Sequence, residues 1–414
     1  MPEEQNRVIF TEEMKKTHTI LVPNMLPIQF KLFLSIMRNK GFKMELLETT
    51  GPAIVEQGLK NVHNDTCYPA LLVIGQLIDA LESGKYELDK VALMITQTGG
   101  GCRASNYIHL LRKALQKSGY GYIPVVSLNV SGMEKNPGFK LALSDWYQLV
   151  YAVLLGDLIM HLYHQTKPYE ANKGDADAIA QRLTSKISET FKGKSFFTYK
   201  LIDKLYDMVL KEFAEMKLTG EKKVKVGIVG EIYVKFSPLG NNNLEKFLLS
   251  ENTEVVTPGL LDFCLYTVYN GIHDHTLYKR GPVQSAAYKL AYKILLYKQK
   301  QLITKIKDTS EFHPPVYFEN TRQGVTDYID LGVKMGEGWL LTAEMVELIN
   351  DGVRNIICTQ PFGCLPNHIV GKGMIRKIKE KNHGVNIVTI DYDPGASATN
   401  QENRIKLMLS DSNM

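Results

Sequence analysis

The chain has 414 residues, 44% hydrophobic and 22% charged, and its 49 Lys and Arg against 44 Asp and Glu give a formal net charge of +5. This ordinary composition excludes collagen-like, wholly disordered and disulfide-stapled small proteins, and the length leaves room for two or three domains with buried cores. The weakly basic balance gives no indication of nucleic acid binding.

The N-terminus and the most apolar segment both argue against membrane targeting. Residues 1–5 carry acids where a signal peptide carries bases, and no apolar segment follows them. Residues 149–162 are apolar, but they include Asp157 and His161 and are too few to span a bilayer. We therefore expect a cytoplasmic protein that does not insert into membranes.

The first third of the sequence alternates strand and helix signals. Apolar runs predict strands at residues 19–23, 44–47, 91–95 and 123–128. Helical spacing of apolar residues predicts helices at 26–39, at 69–81 and from a glycine loop to about residue 117. This alternation predicts a mostly parallel sheet in a first α/β domain, residues 1–138.

A helical segment and a second α/β domain follow. Long stretches with helical spacing and no clear strand fill residues 139–220. In residues 221–414, strands are predicted at 224–229, 254–256, 355–358 and 386–390. Helices are predicted at 242–249, 285–306 and 343–351, from 366 or 370 to before His383, and at 400–409. The sequence therefore predicts two parallel-sheet domains with a helical insertion.

Three of the five cysteines lie just before predicted helices. They are Cys67, Cys102 and Cys364, and the last two also follow the carboxyl end of a predicted strand. Ligands bind at that edge of an open α/β sheet, and a helix N-terminus lowers the pKa of a thiol and stabilises a thiolate ligand. Since their spacings fit no local zinc or ferredoxin pattern, a metal site here has to be assembled by the fold. Buried thiols in tight loops are the alternative.

The other two cysteines and the glycine loop leave further alternatives open. Cys264 lies among Leu261, Phe263 and Leu265 and is predicted to be a core thiol. Cys358 ends a strand; a core position is favoured, and a fourth metal ligand or a redox partner stays open. The glycines before Cys102 could instead cradle a phosphate at a helix N-terminus, although they fit neither the P-loop nor the GxGxxG pattern. They are Gly99, Gly100 and Gly101.

Three segments together resemble one protein family. They are NDTCYP at residues 64–69, QTGGGCRASNY at 97–107 and GCLPNH at 363–368. They resemble the 2-hydroxyacyl-CoA dehydratase component superfamily, and more closely the dehydratase-like part associated with acyl-CoA dehydratase activase proteins. The resemblance covers nearly the whole chain.

The resemblance implies a fold, a cofactor and a reaction class. It implies two flavodoxin-like α/β domains and a 4Fe-4S cluster held between them by Cys67, Cys102 and Cys364. Three thiolates leave one iron open to water or to a substrate oxygen. The resemblance also implies electron supply from an ATP-dependent activator and radical dehydration of a 2-hydroxyacyl-CoA, or a related small-molecule reduction. The chain has no ATPase motif, so the activator has to be a separate protein, and five cysteines are too few for the double-cubane relatives.

Further expectations concern substrate contacts, assembly and alternative functions. Ser105, Asn106 and His368 lie near the cysteine loops and are candidates for substrate contact. Related components work as pairs, so a homodimer or a dimer with a related subunit is expected. Two other functions stay open: a non-catalytic electron-transfer or scaffolding subunit, and a cluster-free nucleotide-binding Rossmann-like protein.

Overall fold

A computed structural model describes residues 7–97, 101–129, 134–279 and 281–411. Within these residues the chain is mixed α/β, with helices around two four-stranded sheets whose strand pairs are all parallel. The predicted class, two flavodoxin-like (Rossmann-like) parallel-sheet domains, is confirmed. The three domain boundaries stay predictions.

The first sheet has the strand order β2-β1-β3-β4. Its strands are β1 Thr19–Pro23, β2 Lys43–Leu47, β3 Val91–Gln97 and β4 Val125–Asn129. The helices of this part are α1 Glu12–Thr17, α2 Pro27–Asn39, α3 Pro52–Asn61, α4 Tyr68–Glu82 and α5 Tyr107–Lys117. The side chains of β3 are buried on both faces except at Thr96, as the apolar run at residues 91–95 predicts.

The second sheet repeats this order as β6-β5-β7-β8. Its strands are β5 Val224–Gly230, β6 Thr253–Val256, β7 Asn355–Pro361 and β8 Asn386–Tyr392. Both sheets therefore place their first strand beside the second and third in chain order, and the two α/β parts share one topology. Short helices border this sheet: α9 Ile232–Phe236, α10 Leu244–Ser250, α15 Ile375–Lys381 and α16 Ala398–Asp411.

The helical part is larger than predicted. The expected helices are α6 Leu143–Thr166, α7 Asp175–Phe191 and α8 Tyr199–Ala214. Between β6 and β7 the chain has α11 Leu260–Tyr278, α12 Pro282–Thr309, α13 Phe318–Gly324 and α14 Trp339–Asn350. Of these, α12 and α14 were predicted, whereas α11 and α13 were not. One hydrophobic core includes Leu158 of α6, Leu265 of α11 and Leu302 of α12. Both groups of helices therefore share this core.

The two α/β parts also share a core. One buried cluster contains Leu77 and Ile95 from the first part and Ile228 and Ile390 from the second. This shared core brings loops of both sheets together. In the described part of the chain, no helix combines the length and the hydropathy that crossing a bilayer requires.

Candidate functional site

Cys67 lies at the start of α4. It is the residue before the first helical turn, its extended backbone is followed by Pro69 in that turn, and 5% of its surface is exposed. Its sulfur lies 2.9 Å from the hydroxyl oxygen of Tyr107, the first residue of α5. Two helices of the first domain therefore position this thiol and its hydrogen-bond partner.

Cys102 follows β3 and precedes the 3-10 turn Arg103–Asn106. Its partly buried sulfur accepts a hydrogen bond of 3.5 Å from the backbone nitrogen of Ala104. This cysteine therefore takes the capping position that Ser or Asp takes at other helix starts.

Cys364 follows β7 and precedes a short π-helix, Asn367–Gly371. It is 7% exposed, and the backbone nitrogen of Asn367 donates a hydrogen bond to its sulfur. Gly363 before it has φ +74°, a left-handed conformation that turns the chain sharply after the strand.

The structure brings the three cysteine loops together. A methyl group on Gly363 would lie 3.0 Å from Cα of Cys67. A methyl group on Gly336 would lie 3.0 Å from Cγ of Pro366 and 3.6 Å from Cβ of Cys102. The loops that carry Cys67, Cys102 and Cys364 thus meet between the two domains, and we call these three residues the cysteine site.

Burial is the largest influence on the pKa values of these three thiols. It raises the pKa of Cys102 to about 11 and raises the pKa values of Cys67 and Cys364 as well. The sequence argument predicted lowered pKa values from the helix N-termini. That prediction is wrong for the metal-free thiols, because desolvation outweighs the hydrogen bonds that the sulfurs receive. A bound metal ion reverses this balance, since coordination deprotonates a thiol.

Two buried carboxyls beside the cysteine site were missed by sequence reasoning. Glu231, 8% exposed, directly follows β5 and caps α9 by accepting a 2.9 Å hydrogen bond from the nitrogen of Val234. Glu337, 7% exposed, accepts a 3.0 Å hydrogen bond from the nitrogen of Ile232. After burial, the charges of both carboxyls contribute to the raised pKa values of Cys102 and Cys364. We call Glu231 and Glu337 the carboxyl pair.

The carboxyl pair holds at least one proton near neutral pH. Burial, followed by the charge of Glu337, raises the pKa of Glu231 to about 8. Burial also raises the pKa of Glu337. Burial and the charge of one carboxylate both disfavour ionisation of the other. One of the two carboxyls therefore keeps a proton beside the cysteine site. The position of Glu231 at the carboxyl end of β5 is a signal that sequence reasoning could have used.

The predicted substrate-contact residues lie in different settings. Ser105 is buried, and its carbonyl oxygen accepts a 2.9 Å hydrogen bond from the side chain of Gln97. Asn106 is exposed at the start of α5. His368 is exposed, and its ring contacts the amide of the buried Gln360. Their roles stay predictions.

The glycine loop is described only in part. Gly99 and Gly100 lie outside the described residues. Gly101 is exposed, and a methyl group there would lie 3.3 Å from the terminal methyl carbon of Met335. Phosphate binding by this loop stays a prediction.

The remaining two cysteines differ from each other. Cys358 is fully buried in β7, and its sulfur lies 3.6 Å from the side-chain oxygen of Asn367. Cys264 lies on α11 and is only partly buried, so the predicted core position is wrong for it. Its neighbours Leu261 and Leu265 are buried, so α11 turns a different face to the core.

The comparisons leave the family resemblance as a prediction. No group of three or more His, Cys, Asp and Glu side chains is placed to hold a metal ion within residues 7–97, 101–129, 134–279 and 281–411. No protein-family model matches the chain, and no curated protein is similar to it.

Proposed function

We propose that this chain is an iron–sulfur protein in which Cys67, Cys102 and Cys364 hold a 4Fe-4S cluster between the two domains. The observation that carries the proposal is the convergence of three thiols from three loops of two domains, each with a hydrogen-bond donor at its sulfur. Donors of this kind tune the potential of such clusters.

Three thiolates from separate loops can serve as the protein ligands of a multi-iron cluster. In a multi-iron cluster each thiolate binds a different iron, so the sulfurs stand farther apart than around one ion. Binding would release the thiol protons and overcome the burial that keeps the free thiols neutral.

The chain's own residues suit reductive chemistry at this position. The cluster, when bound, would supply one electron and one open iron for a substrate oxygen. The protonated carboxyl pair can donate a proton to a hydroxyl that leaves a substrate held there. The proposed reaction is radical dehydration of a 2-hydroxyacyl-CoA or reduction of a related small molecule. The proposed electron donor is a separate ATP-dependent activator.

The first experiment measures iron, sulfide and the EPR spectrum of anaerobically purified, reduced protein. About four iron and four sulfide per chain are expected, since that is the composition of the cluster. A colourless protein after anaerobic purification and reconstitution with iron and sulfide would overturn the proposal. A variant with Ser at all three positions of the cysteine site is the matched control.

A second experiment separates a catalytic component from an electron relay. The cluster-loaded protein is mixed with an activator, ATP and a 2-hydroxyacyl-CoA, and the dehydrated product is measured. Turnover that depends on ATP is expected for a dehydratase component. Cluster reduction without product would instead favour an electron-transfer subunit.

A further inference from the structure

A row of carboxyls runs along one face of α14. Glu344 and Glu347 lie on this helix, and Asp351 follows its last residue. Because they stand three and four positions apart, their side chains are neighbours on the same face. Glu344 is 1% exposed, whereas Glu347 and Asp351 are partly exposed. This carboxyl row therefore leads from the interior of the protein towards its surface.

The inner end of the row reaches the candidate site. Oε1 of Glu344 lies 2.7 Å from Nζ of Lys235, and both side chains are almost fully buried. Oε2 of Glu344 is buried and has no hydrogen-bond partner within the described part of the chain. Lys235 lies on α9, and its backbone nitrogen donates to the carbonyl of Glu231, a member of the carboxyl pair.

The outer end of the row reaches solvent. Oδ1 of Asp351 lies 3.2 Å from Nε2 of His313, whose side chain is 52% exposed. Between the two ends, Glu347 accepts a hydrogen bond from the hydroxyl of Thr321. His313 thus marks the end of the row that meets solvent.

Several titratable groups face Glu344, and carboxyls outnumber cations among them. They are Lys235 on α9, Glu337 before α14, Glu347 on α14 itself, Asp262 on α11 and Cys358 on β7. Burial, followed by the charge of Glu344, raises the pKa of Glu347 to about 7, and burial raises the pKa of Glu344. Near neutral pH Glu347 can therefore both take up and release a proton.

We propose that Glu344, Glu347 and Asp351 form a proton route between solvent at His313 and the interior at Lys235. The route supplies the carboxyl pair with the proton that a reductive step at the cysteine site consumes. In that sense the inference rests on the proposed function, but the route can be tested on protein without iron.

Each transfer along the row leaves the number of protons unchanged. A proton from water binds the carboxylate of Asp351 and moves to Glu347, and Asp351 returns to its carboxylate. Glu347 passes the proton to Glu344 and is again ionised. Glu344 passes it to ionised Glu337, the member of the carboxyl pair whose charge acts on Glu344, and returns to its carboxylate. Each spent carboxylate is reprotonated from the solvent side, so no oxidant or reductant takes part.

The experiment follows proton exchange at Glu344 by infrared spectroscopy after transfer of the full chain into D2O. The carbonyl band of protonated Glu344 is assigned by its loss in Glu344→Gln. Glu347→Gln is expected to slow the shift of this band at least about tenfold, because the intermediate carrier is gone. Glu347→Asp should restore most of the rate. Near-ultraviolet circular dichroism checks that each variant is folded.

Asp157→Asn is the matched control, since it removes a partly buried carboxyl on α6, a different helix from the one that carries the row. It should leave the exchange rate close to that of the wild type. Exchange at the wild-type rate in Glu347→Gln, or equal slowing by Asp157→Asn, would overturn the route. So would the absence of a Glu344 band at every pH from about 4 to 8. Iron content is measured on the same samples, so loss of the cluster is distinguished from loss of the route.

Discussion

The backbone nitrogen of Tyr68 donates a 3.0 Å hydrogen bond to the carbonyl oxygen of Phe362. Tyr68 is the first residue of α4 in the first domain, and Phe362 follows β7 in the second. Because Cys67 and Cys364 lie next to this bond in sequence, it sets the distance between their loops. The cysteine site therefore depends on the contact between the domains as well as on each thiol.

Replacement of single cysteines tests which thiols bind iron. Cys67→Ser, Cys102→Ser or Cys364→Ser should each lower the iron content strongly, because each removes one of three anchors. The helix content by circular dichroism should change little. Cys264→Ser is the control and should keep its iron, since this residue lies on α11 outside the cysteine loops. Cys358→Ser should also keep iron; iron loss there with retention in Cys364→Ser would reverse the ligand assignment.

Gly363→Ala tests the contact between the loops. A methyl group at this position is strained at φ +74° and would lie 3.0 Å from Cα of Cys67. We expect a loss of more than about 1–2 kcal/mol in the free energy of unfolding and a lower iron content. Gly384→Ala is the matched control, since φ is +76° and no atom lies within 4 Å of the added methyl. It should cost only the backbone strain and keep the iron.

Tyr107→Phe tests the hydrogen bond at the sulfur of Cys67. It removes the hydroxyl that lies 2.9 Å from this sulfur and leaves the buried ring in place. The iron content should be retained and the reduction potential of the cluster should fall, because a donor at a thiolate stabilises the more negative, reduced state. An unchanged potential in an EPR-monitored titration would show that Tyr107 does not donate to a cluster ligand.

Lys235→Met tests the buried ion pair behind the site. Removal of the ammonium leaves the buried carboxyl of Glu344 without its partner, so the free energy of unfolding at pH 7 should fall by about 3–5 kcal/mol. The double variant Lys235→Met, Glu344→Leu should recover much of this loss. If denaturant titration showed the same loss in the free energy of unfolding for the single and the double variant, a specific pairing of Lys235 with Glu344 would be contradicted.

Much of the fold could be predicted from local pattern. Parallel strands are buried on both faces and therefore appear in the sequence as continuous apolar runs. The runs at residues 19–23, 91–95 and 355–358 are such strands in the structure. The helix α11 was missed because its residues 264–269, CLYTVY, have aromatic and β-branched side chains that favour strands. Its helical form depends on packing against α12 and α6, which no local pattern contains.

The candidate site was only partly predictable. Cys102 and Cys364 each stand between a strand and a helix, so the sheet-edge argument could pair them. The raised thiol pKa values follow from burial between two domains, which sequence spacing does not reveal. Glu337 lies in a loop that follows no strand, and only the tertiary fold brings it to Glu231 and the cysteines.

Asp157 should make the stability of the protein depend on pH. It is partly buried on α6. Removal from solvent raises its pKa from 3.8 to about 6, although hydrogen bonds from Gln29 and the nitrogen of Leu261 lower it. The folded state keeps this proton where the unfolded chain loses it, so the stabilisation is complete below about pH 3.8 and is lost as the pH rises through about 6.

Asp157→Asn cannot ionise and tests this dependence directly. Between about pH 4 and pH 6, the free energy of unfolding of this variant should fall by about 2–3 kcal/mol less than that of the wild type. Denaturant titrations at a series of pH values give the slope of the free energy of unfolding against pH. A loss of stability that is the same at every pH does not change this slope. The exposed Asp89, changed to Asn, is the control and should leave the wild-type slope in place. An equally steep slope in Asp157→Asn would mean that other groups cause the pH dependence.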